Sequence, residues 1–340
     1  MIRRRPSAAI AMTILLALAA VVAVAGVALG PVWIPFKEVA AAIFGRLDPA
    51  NTHGSAALII RQVRLPRVIL GFLVGGALGV SGTVMQGLFR NPLGSPYILG
   101  VASGASAGAA VSILAGWPTL PWLPLCAFAG GLVAVMIVYR LARGRDRRTS
   151  IFTLILAGVA VGALFSAVTS LVIFLSSRGE KMADVVFWIM GSLGRSGWGG
   201  LALLAPVVVM GTLLIQVLSR DLDALSLGEE GAFHLGVHPQ RVTVVLLVLS
   251  TLLASAAVAM AGTIGFVGLV VPHVLRLILG PNHRTLVPAS AIGGGLFLVL
   301  ADMAARTLMR PVEIPVGIVT AFIGAPFFLY LLRSRGRRMA

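Results

Sequence analysis

Residues Val68 to Phe89 read VILGFLVGGALGVSGTVMQGLF, a stretch without a single charge. It is long enough to cross a hydrocarbon core of about 30 Å as one helix, which satisfies its own backbone where water cannot. Gly71, Gly75 and Gly79 recur every fourth residue, with Gly76, Gly82 and Gly87 beside them. Small residues at that spacing let helix backbones come close in lipid, where packing rather than water exclusion holds helices together. Apolar runs of about 18 to 25 residues recur along the remaining sequence. Of 340 residues, 58% are hydrophobic and only 11% charged, with a mean hydropathy of +1.01, far outside the range of soluble domains. The alternating apolar and polar pattern of an outer-membrane barrel is absent. The expected fold is all-α, a single polytopic membrane domain over residues 1–340 with about ten transmembrane helices.

Upstream, the N-terminus begins like a signal peptide. Its apolar run from Ala8 to Leu29 exceeds the roughly 7 to 15 residues of a signal-peptide core, so it is read as a retained first helix. Residues 31–65 form a loop expected outside the cytoplasm, with a short surface helix and the arginine series Arg61, Arg64 and Arg67 at its end. Downstream, RNPLGSPYILG (Arg90 to Gly100) carries two prolines and marks a cytoplasmic turn. Further spans are expected at Tyr97 to Ala115, up to about Tyr139, Ile151 to Leu175, Leu201 to Leu218, Val242 to Met260, and Leu286 to Ala301, with a last one ending at Leu332. Between Met260 and Gly280 an eighth span is expected to be broken by Pro272, which removes a backbone hydrogen bond.

The formal charge of +16 is scattered between spans, with no aromatic-interleaved basic face. That pattern suits anchoring to membrane lipid and argues against nucleic acid. The most basic loop, RLARGRDRRTS (Arg140 to Ser150), sets the orientation by the positive-inside rule. Both termini are then cytoplasmic in a multi-pass protein of the cell (inner) membrane. Cys126 is the one cysteine, so neither a disulfide framework nor a cysteine metal cluster is expected.

Against this background LSLGEEGAFHLGVHPQR (Leu225 to Arg241), led in by Arg220, Asp221 and Asp223, is a polar island. Residues 220–241 connect the sixth and seventh spans on the cytoplasmic side, where such polarity suits contact with a partner in water. His234 and His238 lack the cysteines or spaced acids of a metal site and read as solvated interface residues; His53 is uninformative. His273 could be a ligand or gate, but a lone membrane histidine is more simply bonded to a neighbouring helix.

The only lysines are Lys37 and Lys181, neither of them in a GxxxxGK[ST] phosphate loop. No zinc-binding HExxH occurs, and the GxSxG pattern of Gly104 to Gly108 lies within an apolar span and not at a nucleophile elbow. The chain is therefore expected to have no catalytic residues, no metal and no bound cofactor, and not to hydrolyse ATP itself. Acids within the spans are scarce, Asp302 being the clearest, which argues against an ion-coupled secondary carrier, the alternative from another class. Asp302 and Arg306 share a helix face, as a structural ion pair or, through Arg306, as part of a docking site.

RLPRVILGFLVGGALGVSGTVMQGLFRNPLGSPYILGVASGASAG (Arg64 to Gly108), FWIMGSLGRSGW (Phe187 to Trp198), LGEEGAFHLGVHPQR (Leu227 to Arg241), GFVGLVVPHVLRLILGPNHR (Gly265 to Arg284) and EIPVGIVTAFIGAPFFLYLL (Glu313 to Leu332) follow in order. Together they resemble the FecCD and vitamin B12 type permeases, the membrane subunits of type II ABC importers. The resemblance implies a homodimer with a path at its interface lined by the fifth and tenth helices. Ser166, Thr169, Ser170, Phe174, Thr320 and Phe322 are the candidate path residues, although by periodicity alone they could equally be packing residues. It also implies two ATPase subunits, which use ATP and Mg, docked on Leu227, Gly228, Glu229, Glu230, Gly231, Ala232, Leu235, Gly236 and Arg241. A substrate-binding protein would dock on Arg64, Arg67 and Arg306, with Arg61 and Arg310 nearby; guanidinium groups pair bidentately with carboxylates. The expected cargo is an iron chelate such as a ferric siderophore, with cobalamin or haem as alternatives.

Overall fold

The computed structural model describes residues 8–30, 34–43, 54–143, 150–176, 180–195 and 197–339. Arg3, Arg4, Arg5, His53, Arg145, Arg147 and Arg148 lie outside the described residues. In chain order the helices are α1 (Ala8–Ala28), α2 (Phe36–Ile43), α3 (Gly54–Leu58), α4 (Leu65–Leu88), α5 (Val101–Leu114), α6 (Trp122–Ala142), α7 (Ile151–Leu175) and α8 (Glu180–Met190). They continue as α9 (Gly197–Val217), α10 (Ser219–Ser226), α11 (Glu229–His234), α12 (Pro239–Ala261), α13 (Val267–Leu279), α14 (His283–Thr307) and α15 (Val316–Met339). A π-helical turn, Ile59–Arg64, leads into α4, and a 3-10 turn, Pro96–Leu99, precedes α5. Among the described residues seven helices are long and apolar enough to cross a membrane, and Val101–Leu114, Val267–Leu279 and Val316–Leu331 are shorter apolar helices. The ten fall where the apolar runs placed them.

The glycine-striped stretch is the central post. Nearly all of α4 is buried, and it packs on α14, α12, α13 and α9. A Cβ on Gly75 would lie 2.2 Å from the Gly294 carbonyl oxygen, and one on Gly79 would lie 2.3 Å from that of Ser290. The stripe therefore brings the α4 and α14 backbones into direct contact, as small residues permit in lipid.

Two segments depart from the sequence expectation. The RNPLGSPYILG turn dips into the bundle instead of staying at its edge. The Ile98 carbonyl lies 2.0 Å from where a Gly158 Cβ would be, about 10 Å along α7 at 1.5 Å per residue. Gly100, with φ 78°, starts α5 from that depth, which is why α5 is short. The eighth span is not broken at Pro272, which lies inside α13. The break precedes it at residues 262–266, where Gly262 and Phe266 take φ of 74° and 67°. Pro272 is tolerated because the Gln86 side-chain amide from α4 donates to the Leu269 carbonyl at 3.0 Å and reaches the Gly268 carbonyl, which Pro272 leaves without an amide partner. The non-helical backbone is also paired. Tyr97 Oη donates to the Ile264 carbonyl at 2.9 Å, and Ser192 N to the Ala261 carbonyl at 2.8 Å.

Candidate functional site

The polar island folds as α10 and α11, at the end of the bundle where α4 and α9 finish. Leu222 and Leu225 of α10 are buried, Leu222 lying against Gly87. Asp223 accepts a hydrogen bond from the His283 amide at 3.0 Å and pairs with His283 Nδ1, which fastens α10 to the first turn of α14. The pairing was not expected from sequence, because residues so far apart in the chain leave no local pattern. Gly228 and Gly236 bracket α11 with φ of 116° and 80°, a region open mainly to glycine.

Ala232 anchors α11 with no exposed surface, whereas Leu227, Phe233 and Leu235 are 72%, 63% and 63% exposed. Glu229, Glu230 and Arg241 are exposed beside them, and Gly231 is half-buried. Arg90, Leu227, Glu229, Glu230, Phe233 and Gln240 line a concavity of about 790 Å³. Apolar side chains presented within a charged rim on a rigidly anchored knob form a surface suited to a protein partner.

At the opposite end Arg64, Arg67 and Arg306, the three arginines expected at a docking surface, are bonded within the chain. Arg64, Arg67 and Arg306 are 4%, 9% and 2% exposed. Arg64 Nη1 donates to the Val27 and Ala28 carbonyls at 2.9 and 2.7 Å. Arg67 reaches Asp302 through Nη2 at 2.8 Å and Glu313 through Nη1 at 2.9 Å. Arg306 Nε pairs with Asp302 at 2.9 Å, and its Nη2 donates to the Gly26 carbonyl at 3.1 Å. The Asp302 and Arg306 spacing thus makes a structural ion pair, and the cluster ties α1, α4, α14 and the approach to α15 together. Arg61 and Arg310 are exposed.

The candidate path residues divide. Ser166 and Ser170 are exposed on α7, with Phe174 73% exposed, and Phe322 on α15 is 77% exposed. Thr169 and Thr320 are buried, and their hydroxyls donate to the Phe165 and Gly317 carbonyls of their own helices at 3.0 Å each. Their burial and internal bonding fit the packing reading that periodicity left open. Only 17% of α7's most apolar window is buried, so much of that helix faces no other part of this chain.

The profile of the FecCD transport family matches residues 15–334. The chain is 46% identical over 281 residues to the cobalamin import system permease protein of Halobacterium salinarum, covering 83% of this chain and 75% of that one. It is 40% identical over 301 residues to the hemin transport system permease protein of Yersinia pestis, covering 87% and 89%. A solved structure described as an inward-facing conformation of a putative metal-chelate type ABC transporter superposes with a TM-score of 0.83 at 34% identity, covering 94% of this chain and 97% of that one. The chain belongs to the FecCD transport family and is a membrane-spanning permease subunit of an ATP-binding-cassette importer.

Proposed function

We propose that two copies of this chain form the membrane path for a metal chelate, driven by two ATPase subunits seated on α10 and α11 and loaded by a substrate-binding protein. The observation that carries this reading is the anchored knob itself. A chain without a phosphate-loop lysine keeps Leu227, Phe233 and Leu235 exposed on a short helical element fixed to α4 and α14. The exposed faces of α7 and α15 are the surfaces offered to the second copy and to the cargo. With both termini and α10–α11 in the cytoplasm, the arginine cluster lies on the side from which cargo arrives. A binding protein would meet Arg61 and Arg310, which are exposed there, together with the cluster of Arg64, Arg67 and Arg306.

Cobalamin is the first candidate cargo, on the strength of the 46% identical relative. Ferric siderophore and haem follow. The test is uptake into proteoliposomes holding this chain and its ATPase, with ATP inside and loaded binding protein outside. Cargo should accumulate only when all three are present. Gradient-driven uptake by the isolated chain would refute the reading and favour an ion-coupled carrier.

The knob makes its own prediction. Replacing Glu229 and Glu230 together by Lys should weaken ATPase capture by roughly tenfold or more, because reversing two charges on a docking face removes its electrostatic complementarity to the partner. Co-purification yield and the melting temperature of the chain are the readouts. Loss of yield with an unchanged melting temperature is expected. Undiminished yield would count against the placement.

A further inference from the structure

At the end opposite α10 and α11, a cavity of about 600 Å³ opens between α8, the α5–α6 turn and the end of α12. Its wall is mostly apolar, with Ile113, Leu120, Leu123 and Trp188, and carries Thr119 and two charges, Asp184 and Arg195. Trp188 is buried while Asp184 and Arg195 are exposed. Neither charged side chain makes a hydrogen bond or ion pair among the described residues. Asp184 nevertheless acts on Arg195: partial burial holds the guanidinium's pKa below its usual value, and the carboxylate offsets part of that lowering. Trp117 and Trp122 stand at the neighbouring turn, 54% and 55% exposed, with ring centroids 6.1 Å apart. Paired exposed tryptophans beside apolar spans mark the depth of lipid headgroups.

We propose that this cavity holds the headgroup of an amine-bearing zwitterionic phospholipid, its phosphate on Arg195 and its ammonium on Asp184. One anionic and one cationic group on an apolar wall complement a headgroup that carries both charges in the reverse sense. Guanidinium favours phosphate by charge-assisted hydrogen bonds, and the carboxylate accepts from an ammonium that still has N–H bonds to give. A volume of this size suits a ligand held by few polar groups. The exposed rings of Trp117 and Trp122 and the exposed Leu125 continue from the cavity mouth to the lipid-facing surface of α6.

The experiment is native mass spectrometry of the purified full chain with equimolar phosphatidylethanolamine, phosphatidylcholine and phosphatidylglycerol. Phosphatidylethanolamine should be retained one per chain, about tenfold over phosphatidylcholine, whose quaternary ammonium has no N–H to donate. Asp184→Asn should erase that preference, and Arg195→Gln should release the lipid, with melting temperatures showing that both variants are folded. If Arg195→Gln unfolds the chain, Arg195→Lys replaces it and should weaken retention by about tenfold, since lysine lacks the bidentate fork. Equal retention of all three lipids, or retention unchanged in the variants, overturns the proposal. So does capture of a soluble binding protein that falls in Arg195→Gln while lipid retention does not, which would assign the cavity to that protein.

Discussion

Replacing Asp302 by Ala is expected to cost about 3–5 kcal/mol, enough to prevent the chain from accumulating in folded form. Asp302 is the carboxylate shared by Arg67 and Arg306, and all three side chains are at most 9% exposed. Without it, Arg306 keeps only backbone carbonyls, that of Gly26 and a long contact to that of residue 302, and Arg67 keeps only Glu313 at the surface. A buried charge stripped of its partner carries its whole desolvation cost, which exceeds what the intact pair contributes. Glu313→Gln is the graded control. That pair is partly exposed, at 39% for the glutamate side chain, and its loss should cost about 1 kcal/mol or less. Fluorescence-detected size-exclusion with a thermal ramp reads both. An Asp302→Ala chain that melts within a degree or two of the parent would show that the cluster does not hold α1, α4 and α14 together.

The same cluster shows what a linear sequence conveys. Asp302 and Arg306 are four residues apart on one helix, and their pairing follows from helical geometry alone. Arg67 meets the same carboxylate across 235 residues, and nothing local distinguishes an arginine that turns inward from one that faces water. An arginine at a membrane border reads equally as a docking residue or as an anchor, so its burial appears only when α4 and α14 are packed. The knob was more legible. Its polarity stands out against apolar spans, and its glycines at 228 and 236 mark where short helices must turn. The brace beneath it, Asp223 with His283, depends on α10 and α14 meeting and left no signal. Spans were legible because bilayer thickness fixes their length. The dip before α5 and the break before α13 were not, because both are set by contacts with other helices, namely Gly158 on the Ile98 carbonyl and Tyr97 on the Ile264 carbonyl.

The glycine stripe carries the second large effect, at the position where no side chain could yield. A Cβ on Gly82 would stand 1.8 Å from the Gly268 carbonyl oxygen, 2.5 Å from its carbon and 2.6 Å from its Cα. All three are backbone atoms of α13, so α4 and α13 would have to separate along their contact. That separation would also draw Gln86 away from the Leu269 carbonyl, which it meets at 3.0 Å, and so undo the arrangement that lets Pro272 sit within α13. Gly82→Ala is therefore expected to reach or exceed the upper end of overpacking costs, about 3 kcal/mol. Gly265→Ala, placed in the break just before α13, is the comparison. No atom lies within 4 Å of its added Cβ, and its effect should stay within about 0.5 kcal/mol. The melting temperature of each purified variant decides the matter. If Gly82→Ala melts with Gly265→Ala, the α4–α13 contact yields freely and the stripe is ordinary packing. If only Gly82→Ala falls, the direct backbone contact between the central post and the broken span is what holds that span in place.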